Sequence, residues 1–174
     1  MKFKKYQHVE RFGNIETEGI ELGKCFIMPK IDGTNASCWL DDGEVKGGSR
    51  RRELTLEDDN AGFYAWLVQQ ENIEQYLLKY PNRRLIGEWL VPHSLKTYKK
   101  DAWRRFYVFD VMEDIGEEDE IYIPYDEYKN DLEEYGIDYI SPICVINNGS
   151  YEQFVIQLNN NVFLIEDGEG VGEG

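Results

Sequence analysis

A seven-residue stretch, Pro29-Lys30-Ile31-Asp32-Gly33-Thr34-Asn35, sits between two short apolar runs, and it constrains the fold more than any other feature of the chain. Cys25-Phe26-Ile27-Met28 leads in, and the alternating run Ala36-Ser37-Cys38-Trp39-Leu40 leads out. Runs of that length around turn residues read as strand, tight turn, strand, with the lysine at the rim of a sheet. Asp32-Gly33 supplies turn chemistry, because glycine accepts positive φ and aspartate can bond the backbone just beyond it. A partly desolvated lysine fixed there is a nucleophile toward phosphorus as well as carbon. Taken alone, a lysine beside an Asp-Gly turn is more often an ordinary surface residue.

The rest of the chain repeats short apolar runs without regular βαβ alternation. Asp41-Asp42-Gly43 turns the chain into an extended piece, Glu44 to Ser49. Asp58-Asp59-Asn60 offers caps for one or two amphipathic helices carrying Phe63, Trp66, Leu67, Ile73, Leu77 and Leu78. Strands are expected at Arg84 to Val91 and Phe106 to Val111, and a helix at Pro124 to Tyr135. Asp138 to Ile146 reads as extended and broken at Pro142, Ser150 with Gln153 as a capping box for a helix through Leu158, and Val162 to Ile165 as a last strand. The pattern predicts an α+β fold of mainly antiparallel sheet flanked by helices, in a single domain over residues 1–174.

The net charge of −15 argues against a general nucleic-acid coat, but the charge is uneven. Arg83, Arg84, Lys96, Lys99, Lys100, Arg104 and Arg105 face only Glu88 and Asp101 in their segment, whereas Glu113 to Glu134 holds eleven acids and Lys129. A basic face able to follow nucleic acid, and an acidic back, is the expectation. Cys25, Cys38 and Cys144 have no metal-ligand spacing and lie in strand-like runs, as reduced core residues of an intracellular protein do. The chain has no apolar run of membrane-spanning length and no signal-peptide pattern behind Met1. His8 and His93 are assigned no catalytic part.

Four further features suit a lysine that attacks a nucleotide. Ser49-Arg50-Arg51-Arg52 brings fixed cations that can grip phosphate or ribose, or simply line a basic surface strand. Glu88, in Gly87-Glu88-Trp89 within an apolar strand, enters a site or points to solvent. Phe109-Asp110 at a strand end can stack a base beside a polar acid, or belong to the core. Glu173-Gly174 can help hold a divalent ion, or be an acidic tail.

In this order the set resembles the covalent nucleotidyltransferases, which comprise ATP-dependent RNA and DNA ligases and mRNA capping enzymes. Lys30-Ile31-Asp32-Gly33 matches the lysine motif, Ser49-Arg50 the next, Glu88 the acidic one, Phe109-Asp110 the adenine-stacking one, and Glu173-Gly174 the opening of the metal-contacting one. Gly33-Thr34-Asn35, Asn60-Ala61-Gly62-Phe63-Tyr64 and the short spacing make the chain most similar to RNA ligases of the phage-type second family. The resemblance implies an ATP-grasp-like nucleotidyltransferase domain that forms a lysyl-AMP on Lys30 and joins 5′-phosphate to 3′-hydroxyl RNA ends. It further implies that Asn35 touches nucleotide or acceptor phosphate, Arg50 ribose or phosphate, and Glu88 ribose. Phe109 would then stack on adenine and Glu173 assist Mg²⁺ or Mn²⁺, while Asp110 is a structural or a site acid. A monomer in the cytoplasm of a bacterium or phage-infected host goes with this reading. DNA ends or a capping-type reaction stay open as alternatives. The family's metal motif continues past Glu-Gly to a strand with phosphate-gripping lysines, and no Lys or Arg follows Lys129. The domain is therefore expected to be incomplete at its C-terminal end, which leaves open a ligase fragment that only binds nucleotide or nucleic-acid ends.

Overall fold

The computed structural model describes residues 1–116 and 119–173; Glu117 and Glu118 of the acidic run and Gly174 of the last motif lie outside them. The strands are β1 (Lys24–Ile27), β2 (Thr34–Asp41), β3 (Glu44–Ser49), β4 (Arg83–Trp89), β5 (Phe106–Gly116), β6 (Asp119–Ile123) and β7 (Cys144–Asn147). The helices are α1 (Phe63–Leu67), α2 (Glu71–Lys79), α3 (Tyr125–Glu134) and α4 (Tyr151–Val155). A five-stranded sheet runs β3-β2-β4-β5-β6 with antiparallel neighbours, and β1 pairs antiparallel with β7 apart from it. The fold is α+β and mainly antiparallel, as the sequence predicts.

Local chemistry explains the elements. Asp42 and Gly43 both take positive φ (48° and 81°), the conformation of a two-residue hairpin turn between β2 and β3. Gly62 is the N-cap of α1, and Asp59 in the preceding loop satisfies the first turn, accepting hydrogen bonds from the backbone N–H groups of Tyr64 and Ala65. On α2, Ile73, Tyr76 and Leu77 are buried together at the spacing of one helical face, with Glu71 and Glu74 in its first turn and Lys79 in its last. Gly47 of β3 lets α1 come close, since a Cβ there would lie 2.7 Å from the Tyr64 ring.

The sheet has two differently covered faces. Ala36, Cys38, Leu85, Trp89, Phe106, Val108 and Val111 pack with the helices' Phe63, Leu67, Ile73, Leu77 and Leu132. The alternate residues of β2, Asn35, Ser37 and Trp39, face the other way. A smaller cluster of Ile31, Leu90, Tyr98, Tyr107, Ile140 and Ile165, with Phe109 packed against it, forms on that second side. The N-terminal segment also lies there: Phe3 meets Trp39 at 5.8 Å and Tyr6 meets Phe109 at 5.7 Å between ring centroids.

Several expectations are corrected. The runs on either side of Lys30 are not a hairpin, because β1 pairs with β7 and β2 with β3 and β4. Gly33 is not among the positive-φ glycines; it is required because a Cβ would lie 2.4 Å from the Trp89 carbonyl oxygen. The expected strand at 162–165 is a turn in which Val162 is exposed and only Ile165 makes a bridge, to Tyr98. Strand β6 was hidden by its acidic start, Asp119-Glu120, and α4 gives way to a 3₁₀ turn over Ile156–Asn160.

Arg83 and Arg84 are also corrected, since neither belongs to an open basic face. Arg84 is buried and grips Glu120 with two nitrogens (3.2 and 2.6 Å) while donating to the Lys4 carbonyl at 2.6 Å. Arg83 bonds Asp131 at 2.6 Å and Glu113 at 3.2 Å and lies over the Tyr80 ring at 4.1 Å. A guanidinium in a sheet interior needs such partners, because burial without them leaves a costly unpaired charge.

Candidate active site

Lys30 lies between β1 and β2, on a segment anchored by its neighbours. Ile31 is buried in the smaller cluster, and the Asp32 N–H donates to the Tyr98 hydroxyl at 2.7 Å. The Asp32 carboxylate accepts from the Leu95 N–H at 2.5 Å and from His93 Nδ1 at 2.7 Å. Burial alone would raise the Asp32 pKa, but these donors outweigh it and hold the pKa below the ordinary value. Asp32 thus ties the lysine turn to the loop after β4 instead of closing a turn on itself. That job was not legible in the sequence, because its partners lie some sixty residues away.

With its backbone fixed, the Lys30 side chain stays exposed and its Nζ pairs with the Glu173 carboxylate. The two residues also form an antiparallel backbone bridge. Glu88 of β4 points to the same region: its Oε1 accepts from the Gly33 N–H at 3.0 Å. Burial pushes the Glu88 carboxyl up to about 7, opposed by the Gly33 N–H and by the charges of Lys30 and Arg50. A carboxyl so poised between its two protonation states is uncommon away from working sites.

The sheet register sets the next row. Asn35 of β2 pairs with Glu88, and Glu88 with Tyr107 of β5. The Asn35 side-chain oxygen is buried with no hydrogen-bond partner among the described residues, the kind of orphan that a ligand donor can satisfy. Phe109 sits where the β4–β5 register shifts, half-buried against the cluster that holds Ile31. Its neighbour Asp110 accepts from the Tyr6 hydroxyl at 2.5 Å, and burial raises its pKa despite that bond. Arg50 and Arg51, at the end of β3, are exposed.

Lys30, Asn35, Arg50, Glu88 and Glu173 therefore gather around one end of the sheet's second face, with Phe109 farther along it. The arrangement offers a primary amine, fixed cations, an acceptor orphan, two carboxylates and an aromatic wall, which is a set suited to a nucleotide. No three His, Cys, Asp or Glu side chains cluster as a metal cage among the described residues. A magnesium-type ion that keeps several waters and phosphate oxygens needs only one or two carboxylates, and Glu173 fits that part.

The basic face is partly dispersed. Arg105 spends its guanidinium on Asp138 (2.7 and 2.6 Å). Lys96, Lys99, Lys100 and Arg104 are exposed and make no ion pair among the described residues. A cavity of about 560 Å³ lies elsewhere, between Phe12 to Glu21 and Gly149 to Tyr151, and contains none of the residues above. Two contributors escaped the sequence motifs. Tyr6 needs the folded N-terminal segment to reach Asp110, and Asn161 bonds the backbones of both Lys30 and Glu173.

The fold recurs in solved structures. An archaeal ATP-dependent RNA ligase superposes with a TM-score of 0.67 at 15% identity, over 92% of this chain and 42% of that one. Naegleria gruberi RNA ligase with pyrophosphate gives 0.65 at 16%, over 90% and 47%. A variant of the Naegleria enzyme with ATP and manganese gives 0.63 at 18%, over 87% and 46%. At such identities the likeness concerns the fold, and it defines a domain with the architecture of ATP-dependent RNA ligases. The family model for RNA ligases matches residues 23–174, and the chain belongs to the RNA ligase family. It spans less than half the length of each of these solved ligases. No curated protein sequence gives a significant match.

Proposed function

We propose that this domain carries the nucleotide-transfer chemistry of an ATP-dependent RNA ligase, with Lys30 as the nucleophile. The Lys30 amine sheds a proton and attacks the α-phosphorus of ATP; a P–N bond forms, the P–O bond to the β-phosphate breaks, and pyrophosphate leaves. AMP then passes from Lys30 to the 5′-phosphate of an RNA strand. A 3′-hydroxyl attacks that activated phosphate, the strands join, and AMP is released. The observation that carries the reading is an exposed lysine amine on an anchored segment, paired with Glu173, with the carboxylate of Glu88 bonded to Gly33 three residues on.

Each neighbour has a part. Asn35 and Glu88 bind the sugar or phosphate end of the nucleotide, and Arg50 counters phosphate charge. Phe109 stacks on the base, and Asp110, held by Tyr6, keeps that end of the pocket polar. Glu173 would hold a divalent ion, Mg²⁺ or Mn²⁺, whose chemistry is to neutralise charge developing on the phosphates. Lys96, Lys99, Lys100 and Arg104 follow the RNA backbone. The test is intact-protein mass after incubation with ATP and a divalent ion. One AMP on wild type and none on Lys30→Arg is the expected result, since a guanidinium stays protonated and cannot attack. Nucleotide binding without any adduct would instead favour a non-catalytic end binder.

A further inference from the structure

Asn161 belongs to none of the motifs, yet it joins two of them. It is only 4% exposed. Its side-chain nitrogen donates to the Lys30 carbonyl at 3.1 Å and to the Glu173 carbonyl at 2.6 Å. Its own backbone carbonyl accepts from the Gly172 N–H at 2.6 Å. Gly172 permits that approach, since a Cβ there would lie 2.9 Å from the Asn161 side-chain nitrogen. The Asn161 side-chain oxygen is buried without a partner among the described residues.

This pattern asks for a specific residue. An unsatisfied buried oxygen is unfavourable, and an apolar side chain would avoid it. What asparagine provides is one nitrogen with two hydrogens, each spent on a different backbone. The Lys30–Glu173 ion pair is largely exposed, with side chains 57% and 43% accessible, and such pairs hold segments weakly. Glu173 also lies in a stretch with glycines at 168, 170 and 172. Besides the ion pair, a single backbone bridge joins Lys30 to Glu173, and the buried amide bonds of Asn161 brace that bridge from both sides.

We propose that Asn161 is a positioning residue: it clamps the backbone of Lys30 to that of Glu173, so that amine and carboxylate stand side by side for adenylylation. The clamp rests on geometry alone, and its part in adenylylation rests on the ligase reading above. A zero-length carbodiimide cross-link tests the clamp. The reagent activates a carboxylate, an amine already in contact attacks the acyl carbon, an amide forms, and the reagent leaves as its urea. In the 174-residue protein, a Lys30–Glu173 cross-linked peptide is measured against Lys24–Asp126, an exposed ion pair on other elements.

Asn161→Asp, nearly isosteric but without the donors, should lower the Lys30–Glu173 to Lys24–Asp126 ratio about five-fold or more. Gly172→Ala, which crowds the same nitrogen without altering Asn161, should do likewise, and covers the case in which the first variant fails to fold. An unchanged ratio in a variant that melts like wild type overturns the clamp. The same proteins are then given ATP and a divalent ion. The variants should form lysyl-AMP more slowly at saturating ATP with ATP affinity unchanged, and an equal rate overturns the positioning role. A wild type that cross-links but takes up no AMP contradicts the ligase reading and leaves the clamp standing.

Discussion

Glu88 shows how one residue can report on the site. Its folded pKa of about 7 lies above the ordinary 4.5, mainly through burial. A carboxyl raised in the folded state stabilises the fold fully below the unfolded pKa, and that stability is lost as pH rises through the folded value. Wild type should therefore lose stability between pH 4.5 and 7 relative to Glu88→Gln, by about 3 kcal/mol at most, in paired denaturant titrations; parallel curves would mean that Glu88 is not held neutral. Phe109 makes a second residue-scale case. Phe109→Ala should weaken adenine nucleotide binding by ~1–3 kcal/mol while Phe109→Tyr is milder, and calorimetric titration beside a thermal melt checks it. A melt that collapses without selective loss of binding would make Phe109 core alone. Lys30, Asn35 and Glu88 can be singled out from the sequence because motif chemistry is local, and the structure sets them at one end of the sheet. Asn161 cannot, because nothing in Asn160-Asn161-Val162 says that an amide will reach two distant backbones.

At the scale of elements, β2, β3 and α2 follow from alternation, an Asp-Gly turn and helical spacing, and their bounds fall close to expectation. The split of β1 from β2 did not, because partner choice depends on β7, more than a hundred residues later. Lys30 is thus held where two sheets part rather than at a hairpin tip, and Gly33 is what lets the chain pass the end of β4. Gly33→Ala should cost ~1–3 kcal/mol, since the close atoms are backbone of Trp89 and Leu90 and cannot swing aside. A melt within error of wild type would mean that the turn relaxes freely. The arginines of β4 depart from the expected basic face for a similar reason. The sequence records their charge, while their carboxylate partners come from β6, β5 and α3. Arg84→Met leaves Glu120 buried and unpaired, and should cost ~3–5 kcal/mol without a specific loss of RNA binding.

For the whole molecule, the proposed action on RNA requires a strongly acidic chain to gather its cations, and Lys96, Lys99, Lys100 and Arg104 are the exposed basic residues between Arg83 and Arg105 without a carboxylate partner among the described residues. Reversing those four charges should weaken RNA binding and flatten its salt dependence, by about 0.7 in log–log slope per lost phosphate contact, with ATP binding nearly unchanged. Salt-independent binding by wild type would contradict that surface. No helix among the described residues is long and apolar enough to cross a membrane. The central claim is narrower than any of these: Lys30 carries AMP. The most direct measurement is peptide mapping of the protein after incubation with ATP and manganese or magnesium, with Lys30→Ala in parallel. The account predicts a single adenylate on the peptide containing Lys30, labile to acid as a phosphoramidate and absent from the variant. An adenylate on another residue, or one that persists in Lys30→Ala, would contradict it.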